Sequence, residues 1–80
     1  MIARVYVGLK PGVLDPQGRT IARSLNDLGY DEVQDAKQGK VIELKLEDTD
    51  KEIAEARVKE MCERLLANTM IESYRIEIDT

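Results

Sequence analysis

Eighty residues, 42% hydrophobic and 35% charged, describe one small folded domain over residues 1–80 rather than a disordered segment, and a chain too short for two domains. Sixteen acidic against twelve basic residues leave a net charge of −4 with no cluster of Lys and Arg, which argues against nucleic acid as a partner. Histidine is absent and Cys62 is the lone thiol, so an internal disulfide, a four-ligand zinc set, a Ser-His-Asp triad and a Cys-His pair cannot be assembled within one chain.

Ile2 to Leu9 alternates as a strand, with Ala3, Val5, Val7 and Leu9 on one face and Arg4 and Tyr6 on the other. Pro11-Gly12 marks a turn, and Asp15-Pro16 reads as an N-cap followed by proline at the first helical position. A helix is therefore expected over Pro16 to Leu28. Ile21, Ala22, Leu25 and Leu28 form its apolar stripe, and Gly29 stands where a left-handed cap is wanted.

Asp31 to Lys37 is read as a second strand from context, since Val33 is its only β-branched residue. Gln38-Gly39-Lys40 then supplies a hairpin turn, and Val41 to Glu47 alternates with Ile42, Leu44 and Leu46 inward. Thr49 to Glu52 has capping-box spacing and opens a second helix. Ala54, Val58, Met61, Cys62, Leu65 and Leu66 form its buried stripe, and Lys51, Glu55, Lys59 and Glu63 its ion-paired outer face. Asn68 is expected to end it in the left-handed conformation. Ser73 to Asp79 alternates as the last strand, with Tyr74, Ile76 and Ile78 on one side. The order βαββαβ predicts an α+β fold, a ferredoxin-like two-layer sandwich with a four-stranded antiparallel sheet and both helices on one face.

No apolar run approaches the roughly 18 to 20 residues of a membrane span, so a soluble, cytoplasmic protein without membrane contact is expected. Phe and Trp are absent, and such a small aliphatic core points to oligomerisation. Cys62 and the methionines Met61 and Met70 read as core fillers. Glu47, Asp48, Asp50 and Glu52 suggest a cation site, but acids favourable to a helix N-terminus explain them more economically.

The most unusual stretch is Lys10, Pro11, Gly12, Val13, Leu14, Asp15, Pro16, Gln17 and Gly18. It reads either as a rigid connector or as a docking loop that holds apolar and polar groups ready for a partner. Gly39 with Lys40, and Asn68, are further contact candidates, each with a plainer turn or capping role. No catalytic, metal or cofactor-binding residue is assigned.

Leu9 to Gly18, the Gly39-Lys40 turn, and Cys62 to Asn68 followed by Ile71-Glu72-Ser73-Tyr74 together resemble the PurS family over essentially the whole chain. The chain departs from the family at Thr69-Met70, where Pro-Val is common. The resemblance implies a non-catalytic small subunit of an ATP-dependent glutamine amidotransferase ligase of purine biosynthesis, phosphoribosylformylglycinamidine synthase. It implies a glutaminase partner (PurQ), a synthetase partner (PurL) that carries ATP and magnesium, and a homodimer or higher oligomer bridging them and assisting ammonia transfer. An ACT-like module that binds a small molecule at a dimer interface is the alternative on the same expected fold.

Overall fold

The alternation in Ile2–Leu9 forms β1, in which Ala3, Val5 and Val7 are buried and Arg4 and Tyr6 face the other way. In the computed structural model, which describes residues 1–79, this strand is central. Thr80, the last residue of the expected unit, lies outside the described residues. Helix α1 (Pro16–Asp27) follows, then β2 (Lys40–Lys45), helix α2 (Lys51–Met61) continued by a π-helical turn (Cys62–Leu66), and β3 (Glu72–Asp79). The sheet order is β2-β1-β3, with both outer strands antiparallel to β1. Register aligns Ala3 between Leu44 and Ile78, and Val5 between Ile42 and Ile76, so one apolar face is continuous across three strands.

Helix α2 closes that face against β3 by burying Ala54 and Val58, and Cys62 joins them in the core. The helix starts one residue later than the capping-box spacing predicts. Asp50 is the N-cap, and its carboxylate accepts the Glu52 amide at 2.9 Å, a role aspartate fills at least as well as threonine. The expected Lys51-Glu55-Lys59 ladder does not close. The ion pair on that helix is Arg64 to Glu60 at 3.7 Å, exposed and therefore worth little.

The four-stranded ferredoxin-like sandwich is not formed, because the sheet has three strands and Asp31 to Lys37 is not one of them. The reason lies at the two ends of α1. Asn26 donates through Nδ2 to the carbonyls of Tyr30 and Val33, both at 3.0 Å, and Asp15 accepts the Gln38 amide at 2.9 Å. The returning segment is thus tied to the two ends of α1, through Val33 and the adjoining Tyr30 and Gln38, rather than paired at a sheet edge, and its single β-branched residue gives it little strand propensity. Gln38 to Lys40 is consequently no hairpin turn, and Lys40 is the first residue of β2, opposite Val7.

The expectation of two helices on one sheet face fails with it. Helix α1 makes no interface with a strand comparable to that of α2, and of its apolar stripe Ile21 and Leu28 are exposed, Leu28 by 74%. The chain is accordingly elongated, 48 × 26 × 14 Å with a radius of gyration of 16.0 Å, against about 12 Å for a compact chain of this length. Two core assignments on the second helical segment and its exit also fail: Leu65 is 83% exposed and Met70 is 85% exposed. The π-helical turn accounts for Leu65. The Ala67 amide reaches back five residues to the Cys62 carbonyl at 3.1 Å, and this extra residue rotates Leu65 out of the stripe while Cys62 and Leu66 stay in.

Candidate functional site

Three segments singled out in the sequence converge at the end of β1 where Leu9 and Lys10 leave the sheet. The first is the loop. Lys10 to Val13 is a tight turn with Pro11 at its second position and Gly12 at φ +87° in its third, which only glycine adopts freely, and the Val13 amide donates to the Lys10 carbonyl at 3.1 Å. Leu14 is left 63% exposed beyond it. Asp15 then caps α1, accepting the Gly18 amide at 2.8 Å through Oδ1, with Pro16 at the first helical position and Gln17 beside it.

The second segment is held to the first by the other oxygen of the same carboxylate, Asp15 Oδ2, which accepts the Gln38 amide. Two glycines make the approach possible. A Cβ at Gly18 would collide with the Ala36 carbonyl oxygen, and one at Gly39 would sit 2.5 Å from the carbonyl oxygen of Val7. The hydrogen bonds from Gln38 and Gly18 hold the Asp15 carboxyl below the usual carboxylate range, and the Lys37 charge acts in the same direction. Lys40 follows, paired to Val7 in the sheet and exposed.

The third segment leaves the π-helical turn. Asn68 is not left-handed, as no residue but glycine has positive φ among the described residues, and Ala67 ends the helix in an extended conformation instead. Asn68 anchors the next turn: its Oδ1 accepts the Met70 amide at 3.2 Å, and its carbonyl accepts the amides of Ile71 at 3.0 Å and Glu72 at 2.7 Å. Thr69-Met70 is accommodated inside that turn. The Lys10 amide donates to the Ile71 carbonyl at 2.8 Å, which ties the third segment to the first. A cavity of about 410 Å³ lies between the three, with Leu9, Pro16, Gln38, Gly39, Lys40 and Glu72 on its walls.

The site is therefore a hydrogen-bonded, mixed apolar and polar end of the molecule. Of the residues singled out in the sequence, Asp15, Pro16, Gln17, Gly39 and Lys40 line the cavity, and Lys10 to Leu14, Gly18 and Asn68 lie in the segments that flank it. Sequence reasoning missed Glu72, which accepts the Asn68 amide at 2.7 Å and lines the cavity, and it missed Gln38 as the partner of Asp15. Gln38 carries no signal, since its bond to Asp15 runs through a backbone amide whose place only the fold determines; Glu72 stands in the stretch Ile71-Glu72-Ser73-Tyr74, but nothing in the sequence pairs it with the Asn68 amide.

Elsewhere the polar sheet face pairs its own charges. Arg4 donates to Glu43 at 3.2 Å and Asp79 at 3.4 Å, and Arg75 lies 4.1 Å over the Tyr6 ring while bonding Glu77 at 2.7 Å. Of the four clustered acids, Asp50 caps α2 and Asp48 accepts from the Met1 amine at 2.7 Å. Among the described residues no three acidic or thiol groups come together as a metal site, and no helix is long and apolar enough to cross a membrane. Cys62 is fully buried beside Val58, and burial pushes its thiol up, which removes it from nucleophilic chemistry.

Residues 2–80 match the family model described as PurS: Phosphoribosylformylglycinamidine (FGAM) synthase. The phosphoribosylformylglycinamidine synthase subunit PurS of Bacillus subtilis is 51% identical over 76 residues, 95% of this chain and 89% of that one. The crystal structure of Methanocaldococcus jannaschii PurS, a subunit of formylglycinamide ribonucleotide amidotransferase, superposes with a TM-score of 0.90 at 42% identity, covering 99% of this chain and 95% of that one. A chain in the structure of PurLQS from Thermotoga maritima gives a TM-score of 0.83 at 34% identity, covering 96% of both chains. The overall fold is thus shared with solved PurS structures, and the chain belongs to the PurS family, a subunit of phosphoribosylformylglycinamidine synthase in purine biosynthesis.

Proposed function

We propose that this chain is the non-catalytic bridging subunit of its synthase, joining a PurQ-like glutaminase to a PurL-like synthetase through the end of the molecule where the three loops meet. The observation that carries the reading is that convergence. Three separate segments are hydrogen-bonded into one surface; the first leaves Leu14 in solvent and the third Met70 with Ile71, while Leu65 of the π-helical turn that leads into the third is exposed as well. Rigid exposed apolar groups bind a protein surface at low entropic cost, because little freedom remains to be lost on docking. The structure of PurLQS from Thermotoga maritima, one chain of which this protein resembles, supports the same reading.

ATP and magnesium belong to the synthetase partner. What this chain contributes is proximity, keeping the ammonia source near the acceptor and away from water that would protonate it. The bridge is a homodimer, because the protomer leaves both the stripe of α1 and the outer edge of β2 uncovered, and its largest fully buried side chains are only Val5, Val58 and Cys62. The chain works in the cytoplasm, where purine nucleotides are made.

Replacing Pro11 and Gly12 by alanine and serine tests the docking surface. The turn loosens, and co-elution of the variant with the two larger subunits is expected to fall at least tenfold in apparent affinity, with the isolated dimer still folded. Co-elution at the native concentration would remove this loop from the interface.

A further inference from the structure

The loop and the β2 entrance are separated by the whole of α1 in sequence, yet both must be presented together if one surface docks. The sheet pairs Lys40 with Val7 of β1, and one side chain, a carboxylate, ties the residues before it directly to the loop and helix. Asp15 Oδ1 accepts the Gly18 amide at 2.8 Å and Oδ2 accepts the Gln38 amide at 2.9 Å, so one side chain bonds the helix it caps and the strand entrance it faces. Close contacts without side chains run alongside it, Gly18 against the Ala36 carbonyl and Gly39 against that of Val7. Helix α1 has no substantial sheet interface to do this instead. Lys40 then follows Gln38 by two residues, in register with Val7.

We propose that Asp15 is the positioning residue of the docking end, a clasp whose two oxygens hold Lys10 to Leu14 and Lys40 in one fixed relation for the partner subunits; the proposal rests on the docking reading above. Capping alone does not require this arrangement. An N-cap needs one acceptor for its own helix, whereas the second oxygen is spent on an amide 23 residues away. Loss of that bond loosens Gln38 and the chain leading into β2 against the loop, and that part of the docking surface must then be ordered at the moment of binding.

Asp15→Ser separates the two roles. Serine is a strong N-cap, so α1 stays capped, but its single oxygen cannot serve Gly18 and Gln38 together. The wild-type and variant chains are titrated into the cognate glutaminase and synthetase, and glutamine-dependent synthesis is followed against chain concentration. Amide exchange at Gln38 is measured on each isolated chain. The clasp predicts faster Gln38 exchange, a half-maximal concentration raised about tenfold or more, and full turnover recovered at saturation. A merely structural defect would instead lower the plateau.

Asp15→Ser that half-saturates at the wild-type concentration, or whose Gln38 amide exchanges at the wild-type rate, overturns the proposal while leaving the docking reading intact. A wild-type chain that supports no glutamine-dependent synthesis removes the docking reading and the proposal with it. Asp15→Asn provides the second variant. It keeps an oxygen for Gly18 but turns an NH2 donor toward the Gln38 amide, and is expected to follow Asp15→Ser; wild-type behaviour in it counts equally against the clasp.

Discussion

Tyr74 donates its hydroxyl to Glu63 Oε2 at 2.7 Å, and this bond with a carboxylate pushes the phenol up to about 12 from its ordinary value near 10. A raised folded-state value means that the folded chain holds the proton more tightly than the unfolded one. The stabilisation is therefore complete below about pH 10 and is lost as pH rises towards about 12. Tyr74→Phe is expected to cost about 1 kcal/mol at neutral pH, less than a buried charged pair because Glu63 stands in solvent. Parallel denaturant titrations check this: the difference between wild type and variant narrows above pH 10, and a difference unchanged up to pH 12 contradicts it. At this scale the sequence was informative where a residue acts on its own helix, as Asp15 does with Gly18. It is silent where the partner lies on another element, as with Gln38 and Glu63.

Among the elements, α1 has the better-defined ends. Its exit is a Schellman motif: the Gly29 amide donates to the Asn26 carbonyl and the Tyr30 amide to that of Leu25, both at 3.0 Å, with Gly29 at φ +102°. A Cβ at Gly29 would meet nothing, so Gly29→Ala carries only the backbone cost of the left-handed conformation, about 1 to 2 kcal/mol. A fall in denaturant midpoint at constant slope is the expected result, and an unchanged midpoint would show that the motif does not hold in solution. Strand alternation and both helices were legible because periodicity and caps are local. Asp31 to Lys37 was misread because strand propensity there was weak and the deciding bonds come from Asn26 and Asp15, side chains outside the segment. The π-helical turn left no periodic trace, so Leu65 was placed in the core.

For the molecule as a whole, the elongated shape leaves Ile21 and Leu28 of the α1 stripe in solvent, which is the surface the proposed homodimer would cover. If it is half of a homodimer, its melting temperature rises with protein concentration, by several degrees over a hundredfold range. A melting temperature independent of concentration down to nanomolar protein would mean a protomer stable alone. The site was legible as three separate motifs, and their convergence was not, because the lost fourth strand and the free helix change what lies beside what. In the role proposed for it, this chain couples two catalytic partners without itself catalysing. Its most direct test compares glutamine-dependent with ammonia-dependent synthesis by the cognate glutaminase and synthetase, with the chain present or withheld. The account predicts that only glutamine-dependent synthesis requires the chain; equal dependence of both activities, or dependence of neither, would contradict it.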